Sequence, residues 1–275
     1  MKSPAKLFDT HALQLHRERA MQSANAALFL HEFAADCTHE RLQDVNRSFT
    51  KPAFVGWTPD IWQKTLEWAA VTAPDAEIID LKPQSHDVVV NGLTLHWAND
   101  PVGQLVQMRH ALQPDGLMIA TMFGGQTLQE LRIAFAEAEA RIEGGISPRV
   151  VPMGEIRDLG GLLQRAGFAL PVADSITLNV EYDTAIHLMN DLRNMGETNA
   201  LCARRRVLKR ETLAMAADIY SSNYTNTSGR ISATFEFVFL TGWAPSDNQQ
   251  KPLRPGSAQQ SLANALGTTE YNSDK

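Results

Sequence analysis

The side chains with the most chemical capacity fall where runs of β-branched residues give out. His96 and Trp97 follow closely on Asp87-Val88-Val89-Val90-Asn91. An imidazole in such a place transfers protons near neutral pH, and the indole beside it supplies a flat wall for a ligand. Asn91 ends the same run. The residues alone also allow a plainer reading, with Trp97 in the core and His96 bonded to a carbonyl. Gly56, in Val55-Gly56-Trp57-Thr58-Pro59, closes an earlier β-type run, and a glycine there lets backbone approach a ligand at a helix start. Trp57 and Pro59 add bulk, and Pro59 withholds a donor, so an ordinary strand-to-helix turn stands beside that reading. Asp80 lies 80 − 56 = 24 residues beyond Gly56, and an acid about 20 residues after the first loop often receives sugar hydroxyls. A solvated loop carboxylate is its alternative. Gly124-Gly125 reads as a turn that needs backbone freedom.

The elements that must position these groups alternate. Apolar spacing predicts helices in the first fifty residues, at Leu7, Phe8, Leu13, Leu15 and again at Ala27, Leu28, Leu30, Phe33. Ala53 to Trp57 reads as a strand, and Thr58-Pro59-Asp60 as a capped helix start continuing towards Pro74. Glu77-Ile78-Ile79-Asp80 reads as a second strand and Asp87–Asn91 as a better one, buried on both faces. Asn99-Asp100-Pro101 opens a helix, Leu117–Phe123 is a strand, and Thr127-Leu128-Gln129-Glu130 has the spacing of a capping box. Helices closed by Gly167 and Gly196, a strand near 175–180, a helix ending near Tyr220 and the strand Ala233–Thr241 complete the pattern. It predicts an open α/β fold with a mostly parallel sheet and helices on both faces. The domain reading is a helical extension at 1–50, a main domain at 51–243 with a helical insertion at about 183–225, and an irregular tail at 244–275.

The 275 residues carry 25 Lys and Arg against 31 Asp and Glu, a formal charge of −6, which argues against a nucleic-acid binder working through bulk positive charge. Two cysteines, Cys37 and Cys202, are too few for a disulfide framework or a thiolate zinc cluster. No metal-ligand spacing, nucleophile elbow, signal peptide or membrane-length apolar run stands out, so a cytoplasmic chain is expected. The basic run Arg204-Arg205-Arg206 with Lys209-Arg210 is either a solvated helix edge or a dock for an acidic partner.

The stretch Asp87-Val88-Val89-Val90-Asn91-Gly92-Leu93-Thr94-Leu95-His96-Trp97-Ala98-Asn99-Asp100, with Ala111-Leu112-Gln113-Pro114-Asp115-Gly116, resembles the central block of class I S-adenosylmethionine-dependent methyltransferases related to the biotin-pathway malonyl-carrier enzyme. Four further segments are similar to one branch of that family, the mitochondrial complex I assembly factor described as an arginine hydroxylase and its alphaproteobacterial relatives. They are Phe123-Gly124-Gly125-Gln126-Thr127-Leu128-Gln129-Glu130-Leu131, Gly144-Gly145-Ile146-Ser147-Pro148-Arg149, Met195-Gly196-Glu197-Thr198-Asn199, and Gly242-Trp243-Ala244-Pro245 with Arg254-Pro255-Gly256-Ser257-Ala258.

The resemblance implies a Rossmann-like fold and S-adenosylmethionine as cofactor. The first loop at Gly56 would hold its methionine part, Asp80 would contact its adenosine, and Asn91 to Trp97 would line the reaction side. His96 and Trp97 are then the expected catalytic pair, with His96 removing a proton from the acceptor. The resemblance also implies a part in respiratory complex I assembly, with a complex I subunit as substrate or client.

The chain departs from the family pattern at two points. Its first loop is poor in glycine, and Gly56 to Asp87 spans only 87 − 56 = 31 residues. Asp80 to Asp87 is also shorter than a parallel crossover requires. One βα unit is therefore expected to be missing. A second expectation follows from the altered loop: a catalytically degenerate methyltransferase-like assembly protein, or a protein-arginine hydroxylase, that has lost normal cofactor binding and grips its client through Arg204, Arg205, Arg206 and residues 242–258.

Overall fold

Strand β3 (His86–Gly92) is buried along its whole length, as its continuous β-branched run requires of a strand covered on both faces. The computed structural model describes residues 6–23, 26–203 and 207–249, with 264 and 267 besides. Around β3 lie β1 (Pro52–Val55), β2 (Val71–Ala73), β4 (Leu112–Phe123), β5 (Ala169–Tyr182) and β6 (Ile231–Trp243) in the order β2-β1-β3-β4-β6-β5. The β2-β1, β1-β3 and β3-β4 pairings are parallel, whereas β6 runs antiparallel to both β4 and β5.

Side-chain alternation divides the interior into two layers. Leu117, Ile119 and Phe123 of β4 and Phe235, Phe237 and Phe239 of β6 pack on one face. Helices α2 (Phe29–Gln43), α3 (Pro59–Leu66), α5 (Gln129–Glu143), α7 (Ala185–Asn194) and α8 (Arg210–Tyr224) cover that face. Met118, Ala120, Val238 and Leu240 face the other layer, under α4 (Pro101–Ala111) and α6 (Ile156–Arg165). The mostly parallel sheet with helices on both faces is thus present. So is the helical lead-in, with α1 (Thr10–Gln22) preceding α2.

The chain also lacks a βα unit. After β2 it returns to β3, on the far side of β1, through residues 74–85 without a helix. Glu77 to Asp80, expected as a strand, are loop. The side chains of α4 satisfy their backbone instead: Gln104 donates to Ala76 O, Gln107 donates to Glu77 O, and Ile79 N donates to Gln107 Oε1 at 2.8 Å. The strand beside β1 is the three-residue β2, whose short Val-Thr-Ala run carries almost no pattern.

Local chemistry differs at three further points. Helix α3 stops at Leu66, because Glu67 takes a left-handed conformation (φ 55°), and does not continue towards Pro74. Thr58 does not cap α3 with its side chain. Thr127 and Glu130 do not form a capping box either; both turn to β6, where Thr127 Oγ1 donates to Glu236 O and Glu130 bonds the hydroxyl of Thr234. Asp100 is a true cap, its carboxylate accepting from Gly103 N at 2.8 Å.

Through Pro245 the chain forms one unit, and a second begins at Ser246. Arg204, Arg205, Arg206 and the segment 254–258 lie outside the described residues, while Gly242 and Trp243 end β6 beside the start of β4, away from the strand ends that carry His96.

Candidate functional site

The polypeptide turns sharply after β3. Asn91, fully buried, donates from Nδ2 to Thr94 Oγ1 at 2.9 Å, and the Thr94 hydroxyl lies 3.2 Å from Asn91 Oδ1. Leu93 takes φ 57°, and Leu95–Trp97 wind into a single 3₁₀ turn that presents His96 and Trp97. Asn91 therefore braces the turn from inside.

Both presented side chains meet Glu197. Trp97 Nε1 donates to Glu197 Oε2 at 2.7 Å, and His96 Nε2 lies 3.2 Å from the same oxygen. Glu197 is placed by the end of α7, where Gly196 takes φ +77° and Glu197 N donates back to Leu192 O at 3.0 Å. Gly196 is required there twice over, since a Cβ would also lie 3.1 Å from the backbone of Arg17 in α1. Burial by itself raises the Glu197 carboxyl. The hydrogen bond and charge of His96, the charge of Arg17 and the Trp97 N–H outweigh it and hold the group below its ordinary range. Glu197 Oε1, like His96 Nδ1, is buried with no partner among the described residues.

At the first strand end, Gly56 is closed in rather than open. A Cβ on it would stand 2.7 Å from the Phe54 ring, and its N–H bonds Ala73 O. Trp57 packs edge-on against His31 of α2, with ring centres 5.2 Å apart. His31 Nδ1 accepts from Thr58 Oγ1 at 3.1 Å and, more weakly, from Trp62 Nε1 at 3.5 Å. That geometry calls for neutral imidazole, and burial, followed by the charges of Arg17 and His96, pulls His31 down to about 4 against an opposing pull from Glu197.

Asp80 is exposed and lines neither of the two cavities beside Trp97. The acid that follows β2 is Asp75, 75 − 56 = 19 residues beyond Gly56. Its oxygens receive Arg17 Nη1 at 2.8 and 3.0 Å, in a pair of which each side chain is only 10% exposed. The Arg17 guanidinium also sits 5.4 Å from the Trp57 ring centre. Arg17, His31, Asp75 and Glu197 are the members of the site that sequence reasoning missed. The spacing of about 20 residues favours Asp75 over Asp80 once the strand is placed correctly. Nothing in the sequence pairs Arg17 with either neighbour.

Two cavities flank Trp97. One is a cleft of about 850 Å³ beneath α1, walled by Trp57, Trp97, Arg17, Asp75 and Gln104. The other, of about 220 Å³, is mostly apolar and lies among Leu30, Phe123, Leu131, Met153 and Phe235, with Glu197 at its edge. Thr127 and Leu128, Arg149, and Thr198 with Asn199 also contribute to that wall. Asn199 Nδ2 ties the last two segments together by donating to Pro148 O at 2.7 Å. Among the described residues no group of three or more His, Cys, Asp or Glu is placed to hold a metal ion, and no helix is long and apolar enough to cross a membrane.

The strand order, the single antiparallel strand and a cleft at the carboxyl ends of β1 and β2 define a Rossmann-like α/β protein. Residues 22–120 match the family described as methyltransferase domain, and this stretch is a methyltransferase-family domain. The chain is homologous to proteins named arginine-hydroxylase NDUFAF5, mitochondrial: it is 39% identical to that of Danio rerio over 73% of this chain and 63% of the relative. Against that of Homo sapiens it is 41% identical over 67% of this chain and 53% of the relative. The malonyl-[acyl-carrier protein] O-methyltransferase of Xylella fastidiosa is 34% identical over 62% of this chain and 56% of that protein. The chain thus spans less than two thirds of the length of these relatives.

Proposed function

We propose that this chain is a methyltransferase-family protein of respiratory complex I assembly, acting in the cytoplasm, and that it takes a long basic side chain of a complex I subunit into the cavity between Phe123 and Glu197. One observation carries the reading. The segments whose resemblance points to the assembly-factor branch, Phe123–Leu131, Gly144–Arg149 and Met195–Asn199, each contribute to the wall of that single cavity. Its chemistry supports a basic guest: an apolar channel suits an aliphatic stem, and a buried carboxylate with one unpartnered oxygen suits a guanidinium. The name arginine-hydroxylase, borne by the relatives, points to the same side chain.

S-adenosylmethionine belongs to the family reading, and the cleft beneath α1 has the position and the room for it. The residues present do not fit it as they stand. Asp75 is engaged by Arg17, the Arg17 cation stands over Trp57 where a sulfonium would be repelled, and the Phe54 ring closes on Gly56. The same cation favours a second reading, in which the client is held unmodified. Mass spectrometry of complex I subunits from cells with and without the chain separates the outcomes: a gained methylene, a gained oxygen, or no change while assembly still depends on the chain. Complex I that assembles equally well without the chain would refute the proposal.

A further inference from the structure

We infer that Arg17 shuts this chain's nucleoside cleft against S-adenosyl ligands, and that removing the guanidinium reopens it. The closure concerns the acid rather than the space. A cleft of about 850 Å³ remains beneath α1, yet Asp75, the carboxylate placed by β2 to receive a ribose diol, spends both oxygens on Arg17 Nη1. The pair is nine-tenths buried, so water does not exchange freely for the guanidinium.

Helix α1 is also seated firmly. Asn99 Oδ1 accepts from Leu7 N and Phe8 N at 2.8 and 2.9 Å, Asp9 N donates to Ala200 O at 2.7 Å, and Gly196 lets the Arg17 backbone approach where a Cβ would lie only 3.1 Å away. Arg17 is therefore held in place by the anchored start of its helix and by the close approach of Gly196 to its own backbone. Its Nε and Nη2 are buried without partners among the described residues, so the guanidinium is not fully satisfied by the closed state. That state is set by geometry and the Asp75 pair, and its loss leaves the fold's own ligand groups free.

The inference is independent of the complex I reading, because its readout is ligand binding by the purified full chain. Thermal unfolding is followed with S-adenosylmethionine and, separately, with S-adenosylhomocysteine, which shares the nucleoside but lacks the sulfonium charge. The native chain is expected to show no shift with either. Arg17→Met, which keeps an apolar stem in the same place, is expected to rise by roughly 5 °C or more at ligand a hundredfold above its dissociation constant. Adding Asp75→Asn to that variant should abolish the rise. A native chain stabilised by either ligand overturns the inference, and so does a folded Arg17→Met protein that stays flat. If Arg17→Met does not fold, Arg17→Gln replaces it, with the same expectations.

Discussion

The indole N–H of Trp97 donates to Glu197 Oε2 at 2.7 Å, joining the turn after β3 to the turn after α7 across 100 residues of sequence. This bond makes Trp97 a partition: one cavity lies under α1, the other among Phe123, Leu131 and Phe235, and the tryptophan walls both. His96 shares the same carboxylate oxygen, and its ring lies 4.8 Å from that of Phe123. A buried carboxylate so engaged stays ionised, which is the state a basic guest requires.

Replacing Trp97 by Phe keeps most of the wall and deletes the donor. Loss of a hydrogen bond to a charged group costs about 1.5–3 kcal/mol. Urea unfolding of Trp97→Phe should show a loss of that size with an unchanged m-value, and the Glu197 carboxyl should titrate higher than in the native chain. An unaltered midpoint would mean that the bond contributes little.

His31 makes stability depend on pH. Its folded value is about 4 and its ordinary value 6.5, so between these the unfolded chain binds the extra proton. Stability is full above 6.5 and falls as pH drops towards about 4, by up to about 3 kcal/mol in all. His31→Gln, less stable overall, should flatten that slope. Glu197 acts in a lower window: its depressed carboxyl contributes above the ordinary 4.5 and loses its contribution as pH falls through the folded value. Unfolding midpoints measured across both windows separate the two groups.

Gly196→Ala places a methyl in a left-handed position and against the Arg17 backbone. Strain of about 1–3 kcal/mol is expected, relieved in part by lifting α1. Hydrogen exchange should then speed up in Thr10–Gln22 before it does so in the sheet. Uniform exchange over both would count against a separately seated α1.

Met153 lines the smaller cavity and is only partly buried. Met153→Trp puts a larger ring into that space, so its stability cost should stay within the about 1–3 kcal/mol of overpacking, while, on the proposed client reading, the variant no longer supports complex I assembly. Full rescue of assembly by this variant would place the client elsewhere.

Much of the architecture could be read from local pattern. The β-branched run at 87–91, the capped start at Asp100 and the glycines that end α6 and α7 are short-range signals, each decided within a few residues. The missing βα unit was legible too, because chain length bounds what a crossover can contain. The segments around Phe123, Arg149 and Glu197 were visible as separate motifs, with nothing to say that they meet. β2 escaped notice because three residues cannot display a period, and with it went Asp75, the acid that follows it and pairs with Arg17.

By itself, then, the sequence determined the α/β alternation, the shortened first half and the turn that presents His96 and Trp97. These follow from propensity, capping and spacing, which act along the chain. Only the tertiary structure decided that Arg17 takes Asp75, 58 residues away, and that His96 and Trp97 share Glu197. Such pairings arise from how helices seat on the sheet, where burial makes each unpaired charge costly and so selects its partner; no local pattern encodes that choice.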